Sequence, residues 1–243
     1  MPKNILLIGG AGFIGHNLAI KLKELGHNVH IADGLQVNNL LSLYDYKTSS
    51  PEKILYRTII KQRLQKIESH NIPLHVEDAR DYFRMSLLYE DIKPDVVVLL
   101  AAVSHASRSN KDPYHTFDHS FRTLENALDI ARGSSSQFIY FSSSMVYGNF
   151  KNDEVNEKTV CEPLGIYGAL KYGGEKLVIA YSQVFDLPYT IIRPSALYGQ
   201  GCISRRVGQI FIENAIRGRN MVIQGSGEEK IDFTHIDDLT DGI

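Results

Sequence analysis

The sequence predicts an α/β fold built on a doubly wound parallel sheet, Rossmann-like, and three observations carry that expectation. Short apolar runs rich in β-branched residues alternate with longer helix-like stretches. The runs are continuous rather than alternating, as strands covered on both faces must be. A glycine-rich turn, "GGAGFIG" at 9–15, lies directly between the first run and the first helical stretch.

The elements follow in chain order. "NILLI" (4–8) is the first strand, and the glycine turn opens a helix running to about Leu25. "NVHIA" (28–32) is the second strand, ended by Asp33. "PLHVE" (73–77), "DVVVLL" (95–100), "QFIYFS" (137–142), "YTIIR" (189–193) and "MVIQ" (221–224) supply the rest. The 44 residues between Asp33 and Asp78 are too many for one plain crossover. Part of the excess, "SPEKILYRTIIKQRLQKIES", reads as an extra helix with Leu55, Ile59, Leu64 and Ile67 as its apolar stripe. Its five basic residues read as a solvated face. "DFTHIDDLTDGI" reads as a strand followed by the first turn of a helix, which suggests a small, truncated C-terminal lobe.

A chain of 243 residues can bury one large core. A net charge of −2 with 22% charged residues argues against a nucleic-acid footprint or a membrane-surface patch. Cys161 and Cys202 have no metal-site or redox spacing, which suits a reducing interior. No apolar run reaches the roughly 18 residues of a membrane span. A cytoplasmic protein with no bound metal is the expectation.

Gly9, Gly12 and Gly15 occupy the turn that lets a backbone approach a pyrophosphate, while the helix N-terminus supplies amide donors. Asp33 is placed to accept hydrogen bonds from ribose hydroxyls and to repel a 2′-phosphate. No arginine or lysine follows in "GLQVNNLLSL", so NAD is favoured over NADP.

A tyrosine four residues before a lysine occurs four times: Tyr89–Lys93, Tyr147–Lys151, Tyr167–Lys171 and Tyr172–Lys176. Ligands of a doubly wound sheet sit beyond the carboxyl ends of its strands. Lys93 precedes Pro94 and the start of a strand, at the opposite edge. Tyr147–Lys151 spans Gly148 and Asn149, a loop without helical register. Tyr172–Lys176 is turned about 140° from Tyr167–Lys171 on one helix. Tyr167–Lys171 therefore remains, in the first turns of a helix begun after Pro163. A phenol of pKa about 10 is a poor base at neutral pH. A neighbouring ammonium would lower that value and could hold a nicotinamide ribose as well.

"GGAGFIG", "FSSSMVYG", "YGALK" and "IIRPSALYGQG", in this order and spacing, resemble the extended short-chain dehydrogenase/reductase family, most closely its NAD-dependent sugar-nucleotide epimerases and dehydratases. The resemblance implies an NAD-binding Rossmann-like domain over 1–194 that carries the catalytic residues. A partial substrate lobe would follow over 195–243, interleaved with the last strands. Catalytic Ser143, Tyr167 and Lys171 are implied, Ser143 by counting back four residues from Tyr147. Three adjacent serines leave Ser142 and Ser144 as alternatives. The cofactor would meet Gly9, Gly12, Phe13, Ile14 and Gly15 at the turn, with Asp33 on the ribose. Asp78 and Ala79 would lie against adenine, and Leu100, Ala101, Ala102 and Ser104 along its length. Tyr167, Lys171, Pro194 and Ser195 would stand at the nicotinamide end.

The chain also departs from the pattern. Ser144 and Met145 stand where the dehydratase branch carries Asp and Glu, which disfavours a 4,6-dehydratase. Ala196 replaces an Asn, Ile231 (beside Lys230) an Arg, and His119 an Asn; the first two are phosphate anchors. Arg205 and Arg206 either compensate as a phosphate-gripping pair or face solvent on a helix. Ser144, Arg205, Arg206 and Lys230 are thus the candidate substrate contacts. The implied activity is epimerisation of a sugar nucleotide through a transient keto sugar. The rival readings are a dehydrogenase or reductase on a non-nucleotide substrate and a non-catalytic NAD-binding protein. A homodimer paired through helices near 114–132 and 167–185 is implied by the same resemblance.

Overall fold

The computed structural model describes all residues except 38, 44–50, 105, 151–153, 205, 224 and 229. Six parallel strands form one sheet in the order β3-β2-β1-β4-β5-β6. They are β1 (Asn4–Ile8), β2 (Asn28–Ala32), β3 (Leu74–His75), β4 (Val96–Leu99), β5 (Gln137–Phe141) and β6 (Tyr189–Ile192). A reversal of strand order between β1 and β4 opens a crevice beyond their carboxyl ends.

The continuous apolar runs have the expected cause: both faces are covered. Leu6 and Ile8 of β1, Val97 and Leu99 of β4, and Phe138 and Tyr140 of β5 point to one side. There they meet α3 (Tyr82–Ile92), α6 (Thr123–Ala131) and α7 (Gly165–Phe185) through Met85, Leu124, Leu128 and Val178. Ile5, Leu7, Val29, Ile31 and Val98 point to the other side, against Leu18 and Ala19 of α1 (Phe13–Glu24) and Ile67 of α2 (Pro51–Ser69). Each fully buried Leu or Ile of these layers contributes about 1.5–3 kcal/mol relative to exposure.

Local signals set the helix ends. Asp81 caps α3 by accepting from the Arg84 backbone N–H at 3.0 Å, and Lys93 ends that helix in a left-handed conformation ahead of Pro94. Asp186 ends α7 in the same way. The helices before β5 run α4 (Ala106–Lys111), α5 (Pro113–Phe117), a π turn over Asp118–Arg122, then α6.

Beyond β6 the chain forms β7 (Ala196–Tyr198), α8 (Val207–Ile216), β8 (Phe233–His235) and α9 (Ile236–Asp241). β7 and β8 pair in a separate two-stranded parallel sheet. α9 returns to pack on α1, with Lys21 paired to Asp241.

Two expectations are corrected. "MVIQ" forms no strand among its described residues: Met221, Val222 and Ile223 are exposed, and no strand pairs with them. β-branched content does not make a strand without a ladder to join. The helix predicted over the inserted stretch exists as α2, but its buried stripe is Tyr56, Ile60, Arg63 and Ile67. Leu55 is exposed, and Arg63 of the supposed solvated face is 2% exposed. The stripe is displaced because Tyr56 and Arg63 have polar partners far along the chain, at Glu213 and Gly201.

Candidate active site

An open cleft of about 240 Å³ lies at the strand-order reversal. Its floor is the β1–α1 turn. Gly9 has φ +83°, and a Cβ there would lie 2.5 Å from the Ala101 backbone nitrogen, so the turn and the end of β4 touch as only glycine permits. Gly12 differs: a Cβ there would have Gly9 O, at 3.4 Å, as its only near neighbour, and that side of the turn is open to the cleft. Phe13, Ile14 and Gly15 line the same wall.

Asp33, at the end of β2, accepts the Ala11 N–H at 3.0 Å and the Leu35 N–H at 2.8 Å. Burial pushes its carboxyl pKa up, while the two N–H groups and Arg63 pull it down. Each carboxylate oxygen keeps a lone pair for a hydroxyl donor. Asp78 and Ala79 stand at one end of the cleft. Arg80 donates to Asp78 at 2.6 Å and to Asp118 at 2.5 Å, holding the Asp78 carboxyl down at about 2. Leu100, Ala101, Ala102 and Ser104 line the side beyond β4, with His119 close by.

At the other end stand Ser143, Tyr167, Lys171, Pro194 and Ser195. Tyr167 lies in the first turn of α7, and Lys171 one turn further on the same face. Burial raises the Tyr167 phenol above its ordinary value, while the nearby Ser143 hydroxyl and the Arg206 guanidinium pull it down. Arg206 is thus one cation that bears on the Tyr167 phenol. Lys171 donates to the Phe141 carbonyl at 2.6 Å and lies over the Tyr140 ring at 5.1 Å. Burial lowers its pKa to about 8 against the opposing charge of Glu175.

Ser142 and Ser143 both line the cleft, and their partners differ. Ser142 Oγ donates to the buried Glu175 carboxylate at 2.5 Å. Ser143 faces the cleft and accepts the Met145 N–H at 3.2 Å. Ser144 donates its backbone N–H to Pro194 O at 3.0 Å, and its side chain is not among those lining the cleft. Arg206 lines the cleft, whereas the exposed Lys230 does not; Arg205 lies outside the described residues. Two of the three rejected pairs can be placed. Tyr89 bonds Ser134 and Ser136 at the far edge of the sheet, and Lys176 folds over its own Tyr172 ring. Lys151 is outside the described residues.

Sequence reasoning missed a buried network under this end. Glu175 pairs with Arg193 through two bonds, at 2.8 and 2.7 Å, and Arg193 also donates to the Tyr147 hydroxyl at 3.1 Å. Its one legible signal was Glu175 four residues after Lys171, on the same helical face. It also missed Arg63, which enters the cleft from α2 and carried no such signal. Among the described residues no three His, Cys, Asp or Glu side chains cluster to hold a metal ion. No described helix is long and apolar enough to cross a membrane.

The cleft fits a dinucleotide on its own geometry. An uncrowded glycine opens it at a helix N-terminus, and the Asp33 carboxylate lines the cleft beside that turn. Comparison with known proteins agrees. One similar protein, described as the uncharacterized UDP-glucose epimerase YtcB of Bacillus subtilis (strain 168), is 32% identical over 98% of this chain and 71% of its own. Protein CapI of Staphylococcus aureus is 30% identical over 98% and 67%. Among solved structures, UDP-glucuronic acid 4-epimerase from Bacillus cereus, in complex with UDP-glucuronic acid and NAD, superposes with a TM-score of 0.84 at 28% identity, covering 98% of this chain and 71% of that one. The match to the family extends over residues 5–243, and the chain belongs to the NAD dependent epimerase/dehydratase family.

Proposed function

We propose that this protein epimerises a sugar nucleotide with NAD as its resident cofactor. The observation that carries the reading is the meeting, in one cleft, of Ser143, Tyr167 and Lys171 with the glycine turn and Asp33. Relatives and structural neighbours described as UDP-sugar epimerases support it. Backbone amides of the 9–15 turn would hold the pyrophosphate, Asp33 the adenosine ribose, and Lys171 the nicotinamide ribose. Bound NAD supplies reversible hydride transfer at a ring carbon of the sugar.

The chain's own groups handle the proton. Tyr167 accepts it from the ring hydroxyl, and Ser143 hydrogen-bonds the oxygen as it becomes a ketone. Tyr167 then returns the proton to the oxygen after reduction from the opposite face of the ring, so the proton balance closes. Arg206 is a nearby charge that favours the phenolate, and Lys171 keeps donors for the ribose beyond the one it gives Phe141. Ser144 and Met145 carry no acid or base, which favours epimerisation over removal of water. Residues 1–194 form the cofactor and catalytic domain in this reading, and 195–243 part of the substrate lobe. Two copies pair through the 114–132 and 167–185 helices, in a reducing cytoplasm consistent with the free Cys161 and Cys202.

Tyr167→Phe is the test. It should keep NAD yet lose conversion of UDP- or dTDP-sugars by several orders of magnitude, and undiminished turnover would reject the assignment. Net accumulation of NADH with the wild-type chain would replace epimerisation by simple dehydrogenation.

A further inference from the structure

We propose that Arg63 is a positioning residue: from α2 it clamps the 199–204 loop over the cleft and so sets where Arg206 enters the cleft wall. The Arg63 guanidinium is buried, and its Nε and Nη2 both donate to the Gly201 carbonyl, at 3.0 and 2.5 Å. Gly201 has φ +83°, a conformation that aims this carbonyl as few other residues could. The loop beyond it supplies Ile203 and Ser204 to the cleft, then Arg206 at the start of α8.

Two further ties make α2 a strap as well as a packed helix. Tyr56 donates its hydroxyl to the Glu213 carboxylate, with oxygens at 2.8 and 3.1 Å. Glu52 accepts from Arg217 at 3.2 Å and from Arg219 at 3.1 Å. From residue 52 to residue 63 these ties extend about 16 Å along the helix axis. The Ile67 end of α2 is set in the core beside α1, so the strap joins the cofactor wall to the loop and helix opposite. Burying a guanidinium is costly; the two hydrogen bonds to one carbonyl offset that cost and fix the loop.

The role of Arg206 rests on the Tyr167 reading above; the clamp itself does not. The test is hydrogen exchange by mass spectrometry on the full chain, with and without NAD. Arg63→Met should raise exchange at 199–204 at least tenfold and leave β1, β4 and β5 at wild-type protection. Arg63→Lys, which keeps the charge on a single donor nitrogen, should restore part of that protection. Unchanged exchange at 199–204 would overturn the clamp, as would a uniform rise that includes β1, β4 and β5. If the Met variant does not fold, the Lys variant decides: a rise confined to 199–204 supports the clamp and wild-type exchange overturns it. Kinetically the clamp predicts that Arg63→Met raises the sugar-nucleotide KM at least tenfold and that Arg63→Lys recovers part of it. Full turnover by Tyr167→Phe would sink the functional reading and leave the exchange result standing.

Discussion

Alanine placed at Gly9 and, separately, at Gly12 should divide the packing duty of the β1–α1 turn from its ligand duty. At Gly9 the new methyl would lie 2.5 Å from Ala101 N and 2.7 Å from Ala101 Cα, both backbone atoms of the neighbouring strand's end. Its φ of +83° adds about 1–2 kcal/mol for an L-residue. Overpacking adds about 1–3 kcal/mol. Gly9→Ala should therefore cost about 2–5 kcal/mol, a large share of the roughly 5–15 kcal/mol that holds a domain together. At Gly12, φ is −74° and the sole near contact is Gly9 O at 3.4 Å. Only the loss of a favourable N-cap residue remains there, at most about 1 kcal/mol. The Gly12 methyl instead fills the space a pyrophosphate would enter, so NAD affinity should fall at least tenfold, about 1.4 kcal/mol. Urea unfolding without NAD measures the first effect, and calorimetric titration of folded protein the second. Equal destabilisation by both variants, with NAD affinity intact in Gly12→Ala, would refute the division.

Other expectations follow from the buried charges. Lys171 loses its proton near pH 8, so NAD affinity should weaken as pH rises through that value, and Glu175→Gln should move the weakening to lower pH. Affinity measured from pH 6 to 10 checks this, and an unmoved limb rejects the coupling. Because the folded pKa of Lys171 lies below its ordinary 10.5, the unfolded chain binds more protons between these values, and this group's contribution to stability should rise from about pH 8 to 10. Asp33→Asn should turn an amide nitrogen toward one of two backbone N–H donors, costing about 1–3 kcal/mol. It should also narrow the preference for NAD over NADP at least tenfold in parallel titrations; an undiminished preference would remove Asp33 from the ribose.

Much of the site was legible because its parts are local. The glycine turn depends on which residues can bend between a strand and a helix, and Tyr167 and Lys171 share a face because they are four residues apart on one helix. The apolar runs announced a sheet buried on both sides for a similar reason, since burial leaves its mark residue by residue. What tertiary structure alone decided depends on partners distant in sequence. Arg63 and Tyr56 are buried because Gly201 and Glu213, 138 and 157 residues further on, satisfy their polar atoms. Periodicity cannot see such partners, and so misplaced the stripe of α2. Three adjacent serines look alike until the fold gives the Ser142 hydroxyl to Glu175 and leaves Ser144 out of the cleft. The Lys171 ammonium, on the Tyr167 face by helical register, gives one of its three donors to the Phe141 carbonyl at the end of β5, a partner that only tertiary packing supplies.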